Sequence, residues 1–223
     1  MDNLEKDICK EINIEIKRKK YQARNFGNNI ESNVQKLLKK FFLTIDKSSK
    51  CAEPKGKNET FDYTIHNCKN KNYAIDIKVA NKKEGPANDL GTISDWIENL
   101  KGHKKQYSTN IYFVWLEYEA VKGVVTKIDN VYIDKIFKYL AFRKKKDHNG
   151  DQLLQYREKD GNLRPKTWNK FRRKENVIKN FKTFENLLCT TSKYRSYTIA
   201  VKHLKNIEKD AYYIDKIREI ILK

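Results

Sequence analysis

Two aspartates and one lysine stand at spacings that suit metal-assisted phosphodiester chemistry. Asp76 and Lys78 lie two residues apart in the alternating stretch 73–80. On a strand they would share one face, about 6 to 7 Å apart at the backbone. Asp62 precedes them across a segment rich in Asn and Lys, which predicts a hairpin turn. Two carboxylates that meet at a hairpin raise each other's pKa unless a cation separates them. Mg²⁺ suits such oxygen ligands, and Lys78 would orient or help deprotonate an attacking water.

These residues resemble the motif of the PD-(D/E)xK nucleases. Asp62 followed by Asp76-Ile77-Lys78 carries the resemblance, and its form is similar to that of type II restriction endonucleases. Glu31 matches the acidic residue on the family's first core helix. Leu90-Gly91-Thr92 is similar to a segment that approaches DNA in the blunt-cutting branch. The order of helix, hairpin, short helix and buried strand is also that of the family, although Phe61 stands where the family has Pro.

The resemblance implies a site-specific endonuclease acting on double-stranded DNA with one or two Mg²⁺ ions per active site. Asp62, Asp76 and the main-chain carbonyl of Ile77 would hold the metal, Glu31 would assist, and Lys78 would act on the water. The expected products carry 5′-phosphate and 3′-hydroxyl ends. A palindromic site implies a two-fold homodimer, and a companion DNA methyltransferase is expected to be encoded nearby.

Other interpretations of the same residues stay open at this point. Asp76 and Lys78 could form a weak ion pair on a solvent-facing strand. Glu31 could serve a helix start through the helix dipole instead of a metal. At the level of the whole chain, a structure-selective nuclease of the resolvase or repair type shares the motif, and a non-catalytic basic protein could bind nucleic acid through charge alone.

Composition points to a polyanionic partner. Among the 223 residues, 48 Lys and Arg against 29 Asp and Glu give a formal net charge of +19, which favours nucleic acid. Part of the Lys excess could reflect an AT-rich genome. The four Cys form no C-x-x-C pair, which argues against a zinc site or a disulfide framework. No apolar run approaches the roughly 18 residues of a membrane span, so we expect no membrane and a cytoplasmic location.

The elements predicted from periodicity build an α/β or α+β fold, a mixed central β-sheet flanked by helices. We expect a single nuclease domain over 1–223, with a restriction-endonuclease-like core at about 26–120 and a DNA-recognition and helical elaboration at about 121–223. Predicted helices cover 2–20, 30–42, 92–101, 177–188 and 204–222, and predicted strands cover 61–65, 73–80, 110–118 at the sheet centre, 121–126, 130–133 and 197–201.

The segment 152–173 is the predicted reader of DNA sequence. It holds four of the nine Arg of the chain, and Arg offers a planar fork that Lys lacks. A solvated hairpin with stray charge is the alternative. For the final helix, sealing the core is favoured over a dimer contact. The residues predicted to bind DNA are Thr92, Arg157, Asn162, Arg164, Lys166, Asn169, Arg172 and Arg173.

Overall fold

A six-stranded mixed β-sheet organises the chain. The computed structural model describes residues 2–53, 61–86, 89–101, 110–147, 149–173, 175 and 177–221. The strand order is β1-β6-β5-β4-β3-β2, and only β4 and β5 run parallel to each other among the neighbouring pairs. The strands are β1 (Tyr21–Gln22), β2 (Lys50–Ala52), β3 (Tyr63–Cys68), β4 (Lys71–Asn81), β5 (Ile111–Val121) and β6 (Val124–Lys135).

Helices cover both faces of this sheet, so the predicted mixed fold is confirmed. The two N-terminal helices pack on one face of the sheet and form one apolar core with it. The remaining helices pack on the opposite face and form a second core there. A strand in such a sheet is buried on both sides, which explains the nearly continuous apolar run of β5. The helices are α1 (Asp2–Arg18), α2 (Phe26–Ile45), α3 (Ile93–Lys101), α4 (Trp168–Arg172) and α5 (Phe181–Ile221).

The predicted hairpin is present as β3 and β4. Tyr63 pairs with Ile75 in the antiparallel register, and the turn is built on positive φ angles at Asn67, Lys69 and Asn70. Asn adopts this left-handed conformation more readily than most residues. The first strand of the hairpin, β3, begins at Tyr63, two residues later than the sequence pattern indicates.

The two strands predicted over 121–126 and 130–133 are one strand, β6. Its pairing with β5 shifts register between Glu117 and Tyr118 and again between Glu119 and Ala120. Such bulges add residues to a strand without ending it. They break the alternation of apolar and polar residues, and the sequence pattern therefore indicated a gap where the strand continues.

The strand predicted over 197–201 is wrong, because these residues lie inside α5. Their β-branched and aromatic side chains favour a strand only weakly, whereas no Pro or Gly interrupts the 41-residue helix. The prediction that the final helix seals the core also fails for the described side chains, since Leu204 is 59% exposed and Ile207 is 64% exposed. None of the described helices is both long and apolar enough to cross a membrane.

Candidate active site

The start of β3 places Asp62 beside the middle of β4. Tyr63 pairs with Ile75, and continuing this antiparallel register by one residue sets Asp62 opposite Asp76. The backbone N–H of Ile77 donates a hydrogen bond of 2.6 Å to Oδ2 of Asp62. The hairpin that the sequence predicts thus brings the two aspartates together, and β4 itself holds the first of them in place.

Asp76 and Lys78 occupy the β4 face that is covered by the second core. Asp76 is only 8% exposed, and Nζ of Lys78 lies 2.8 Å from its Oδ1. This burial excludes a solvent-facing surface pair. The flanking residues on this face, Ala74 and Ala80, are buried and small. Their short side chains leave room for a cleft next to Asp76 and Lys78.

Glu31 reaches the same place from α2. The helix begins at Phe26, so Glu31 lies beyond its first turn, and a role as a helix-start acid no longer explains it. The amide Nε2 of Gln35 donates to Oε1 of Glu31 at 3.0 Å and to the backbone carbonyl of Asp62 at 2.9 Å. Gln35 therefore ties the helix to the hairpin.

Gln35 is a site residue that sequence reasoning missed. It is buried at 6% exposure, within the apolar stripe of Val34 and Leu38 on α2. A polar residue inside such a stripe, one helical turn after Glu31, was the available signal.

Negative charge crowds the site. Burial, and then the hydrogen-bonded carboxyl group of Asp62, raise the pKa of Asp76 well above its usual range, although the Lys78 ammonium opposes this. Burial and the Asp62 charge likewise raise the pKa of Glu31. Burial disfavours the charged form of Lys78, but the surrounding carboxylates outweigh it and raise the pKa of this ammonium. The ammonium of Lys78 thus interacts with three carboxyl groups, those of Asp76, Asp62 and Glu31.

A cleft of about 470 Å³ opens onto Asp76 and Lys78. Its apolar walls include Phe61, Leu90 and Trp96, and three further acids, Asp89, Asp95 and Glu98, also line it. Sequence reasoning did not select these acids, because they belong to a loop and a helix whose approach to β4 no local pattern reveals.

The predicted Leu90-Gly91-Thr92 segment forms one wall of this cleft. Gly91 has a φ of +84°, and a Cβ there would lie 2.9 Å from Nε1 of Trp96. The same indole nitrogen donates to the Leu90 carbonyl at 2.6 Å. Thr92 caps α3, since its Oγ1 accepts the backbone N–H of Asp95 at 3.0 Å. Glycine is therefore required where the segment turns into the helix.

The predicted recognition segment docks on this wall. Leu163 exchanges backbone hydrogen bonds with Leu90 and Gly91, and Ile93 donates to the Gly161 carbonyl. Asn162 forms a β-bridge with Thr92. The turn around Gly161 is thereby fixed next to the cleft, which excludes a freely solvated hairpin.

Asp89 holds two of the predicted DNA-binding arginines at the cleft. Arg164 pairs with Oδ1 of Asp89, and Nη2 of Arg157 lies 2.8 Å from its Oδ2. Arg157 also makes a two-pronged contact with Asp160, whose pKa this guanidinium holds far below its usual range. The arginine forks are thus oriented by acids of the protein.

The remaining predicted DNA contacts separate into surface and interior residues. Arg173 is largely exposed. Arg172 pairs with the fully buried Glu117 and donates to Oδ1 of Asn169 at 3.0 Å. The prediction that Lys166 binds DNA is wrong, because this residue is 3% exposed and its Nζ donates to the Glu175 carbonyl at 3.0 Å. A buried ammonium cannot contact a DNA phosphate from the protein surface.

The oxygen donors of the site suit a hard divalent cation. Burial and the neighbouring Asp62 carboxyl group raise the pKa of Asp76 well above its usual range, and a cation between the two carboxylates would remove their mutual repulsion. Glu31 lies near enough for the Asp62 charge to raise its pKa. Across the described residues, no group of three or more His, Cys, Asp or Glu has the arrangement of a preformed metal site. The donor set fits such a cation by the chemistry of its ligands, two aspartates, one just before β3 and one on the facing strand β4, and Glu31 from α2.

Comparisons with known proteins bear on the fold. No family model matches the sequence, and no curated protein matches it. Among solved structures, the NlaIV restriction endonuclease is similar, with a TM-score of 0.55 and 15% sequence identity. The match covers 75% of this chain and 64% of that chain. The chain therefore has a fold similar to that of a restriction endonuclease, as its motif indicated.

Proposed function

We propose that the chain is a PD-(D/E)xK nuclease of the type II restriction class, which cuts double-stranded DNA with Mg²⁺ at a short specific sequence as a homodimer. The observation that carries this proposal is the convergence of Asp62, Glu31, Asp76 and Lys78, of which the last two line a cleft. The restriction-endonuclease-like fold and the net charge of +19 support it. The proposed products carry 5′-phosphate and 3′-hydroxyl ends.

Each site residue has a role that its contacts support. Asp62, Asp76 and the Ile77 carbonyl are the proposed Mg²⁺ ligands, with Glu31 assisting. A bound Mg²⁺ would polarise the scissile phosphate and activate water. Because neighbouring carboxylates raise its pKa, Lys78 is protonated at neutral pH. It would therefore donate a hydrogen bond to the attacking water and offset charge on the phosphate oxygens.

The turn around Gly161 would carry the sequence recognition. Arg157 and Arg164 stand at the cleft with their guanidinium planes held by Asp89. A preformed Arg fork loses little side-chain entropy when it pairs with guanine in the major groove. Because the same turn is hydrogen-bonded to Gly91 in the cleft wall, base recognition and the catalytic residues would move as one unit.

Incubation with DNA in Mg²⁺ and in EDTA tests the proposal. Discrete plasmid fragments that appear only with Mg²⁺ are the expected result. Cutting confined to branched DNA would instead assign a structure-selective nuclease. Retardation of DNA in EDTA without cutting in Mg²⁺ would leave a binding protein and refute the catalytic assignment.

Asp76→Asn tests the site itself. The variant is expected to fold, to bind DNA at least as well as wild type, and to lose cleavage, because the amide neither binds Mg²⁺ well nor repels phosphate. Asp7→Asn is the matched control, since Asp7 is exposed on α1. Normal cleavage by the Asp76 variant would show that the metal is held elsewhere.

A further inference from the structure

The last helix carries two apolar stripes on different faces. In its first half, Phe184 and Leu188 are at most 1% exposed and pack into the second core. Thr191 on the same side is also buried, and its Oγ1 accepts the backbone N–H of Leu154 from that core. In its second half, Leu204 and Ile207 are 59% and 64% exposed. The second stripe consists of Ala200, Leu204, Ile207 and Ala211, all of them exposed.

The two stripes point in nearly opposite directions. Ala200, Leu204 and Ile207 each lie sixteen residues after a member of the packed stripe. At 3.6 residues per turn, sixteen residues advance the helix by about 160° beyond four whole turns. The second stripe therefore faces away from the core on which the helix is seated, and no tilt of α5 toward its own sheet would bury it.

The face that continues the packed stripe is polar. Eighteen residues make about five turns, so Lys202, Asn206 and Lys209 lie on the same side of the helix as the packed stripe, eighteen residues after its three members. A helix meant to extend its contact with its own core would carry apolar residues there. The sequence instead places them on the side open to another molecule.

The spacing of the second stripe is that of a helix pair. The intervals between Ala200, Leu204, Ile207 and Ala211 are four, three and four residues, the a and d pattern of a two-stranded coiled coil. A helix half without packing is marginal in water. A partner helix on this stripe would supply the missing packing.

The charges along this half of the helix are complementary to those of a second copy that runs antiparallel to it. Residues 196–205 contain Lys202 and Lys205 and no acid, which gives +2, whereas residues 206–215 contain three acids and Lys209, which gives −2. A two-fold axis between residues 205 and 206 lays each +2 segment on a −2 segment. A parallel pair would stack like charges instead.

We propose that residues 196–215 of α5 form an antiparallel two-helix interface between two copies of the chain. The same two-fold axis sets Leu204 against Ile207 of the partner subunit and Ala200 against Ala211 of the partner subunit. Large residues thus meet large ones and small residues meet small ones. This interface would be the contact surface of the homodimer in the proposed function, on which it rests. Its formation requires neither DNA nor metal.

Sedimentation equilibrium of the metal-free, DNA-free full chain tests the interface. The wild type is expected to sediment at twice the mass of one chain. Leu204→Glu/Ile207→Glu is expected to halve this mass. Thr198→Glu/Asn206→Glu adds the same charge to exposed positions outside the stripe and is expected to keep the dimer. A monomeric wild type, or a dimer that the stripe variant leaves intact, would overturn the proposal.

Disulfide trapping tests the direction of pairing. The background for this test is Cys189→Ser, which removes the exposed native thiol. The double variant Ala200→Cys/Ala211→Cys is expected to form a covalent dimer on mild oxidation, whereas each single variant is expected to form no cross-link. Cross-linking of the single variants would show a parallel pair and refute the geometry. Because both experiments omit substrate, their failure is distinct from a failure to cleave DNA.

Discussion

Replacing Lys166 with methionine separates a structural lysine from a DNA contact. The ammonium is buried, at 3% exposure, and donates to the Glu175 carbonyl at 3.0 Å. Burial lowers its pKa from 10.5 to about 8. Methionine keeps a similar length and flexibility but removes the charge.

The magnitude follows from the shift in pKa. A difference of about 2.5 units at 1.36 kcal/mol per unit corresponds to roughly 3 kcal/mol. Because the folded pKa lies below the unfolded one, the whole penalty is present below about pH 8 and is relieved as pH rises toward 10.5. Lys166→Met should therefore stabilise the fold at pH 7 by about 2 kcal/mol, after about 1 kcal/mol for the lost hydrogen bond.

Urea unfolding of both proteins at pH 7 and near pH 10 measures this effect. The advantage of the variant should shrink with rising pH, and other titrating groups cancel in the comparison. If the difference in unfolding free energy between the two proteins does not change with pH, Lys166 is not buried in its charged form. DNA binding over a range of salt provides a second check, since loss of a phosphate contact would reduce the salt slope by about 1, whereas we expect no change.

Three further substitutions, one of them with a matched control, test the site and the residues that support it. Gln35→Met should lower the cleavage rate about 10- to 100-fold while DNA affinity in EDTA stays unchanged, and an equal loss of both would mean that the fold is damaged. Arg172→Met should cost about 3 kcal/mol in urea unfolding because it strands the buried Glu117, whereas Arg173→Met, at a largely exposed position, should change stability by less than about 0.5 kcal/mol. Arg164→Ala should weaken binding to the cognate site more than to random DNA, and equal weakening would make it a backbone contact.

Strong periodicity in the sequence predicted the elements that carry the site. The alternation of β4, the Asn-rich turn before it and the apolar run of β5 are local patterns, and each element is present. Together with the D-x-K spacing they place Asp76, Lys78 and Asp62 side by side. Local information suffices there because a hairpin fixes which residues face each other.

Long-range contacts could not be predicted in this way. Gln35 meets the Asp62 carbonyl across 27 residues, and Asp89 meets Arg164 across 75. The wrong strand over 197–201 has the same origin, because these residues belong to a helix whose first half packs into the second core at Phe184. Tertiary contact, rather than residue type, decided each of these cases.

Two buried acids, Glu117 and Asp76, lie on the same face of the sheet, and a comparison of their partners shows why only Asp76 would gain from a bound cation. Glu117 is fully buried, and its carboxylate is matched by Arg172, by the Asn130 amide at 2.8 Å and by the Tyr132 hydroxyl at 2.7 Å. This site is neutral and its acceptors are satisfied, so it needs nothing further.

The candidate active site lacks this balance. Asp76 is nearly as buried as Glu117, yet it shares one lysine with two other acids, and its pKa is raised well above the usual range as a result of burial and the neighbouring Asp62. A fold that elsewhere matches a buried acid with an arginine would gain stability from a cation here. Thermal unfolding should therefore respond to Mg²⁺ in wild type and lose that response in Asp76→Asn, even without DNA. An equal rise in both proteins would place the ion at another site and remove the charge deficit as the reason for metal binding.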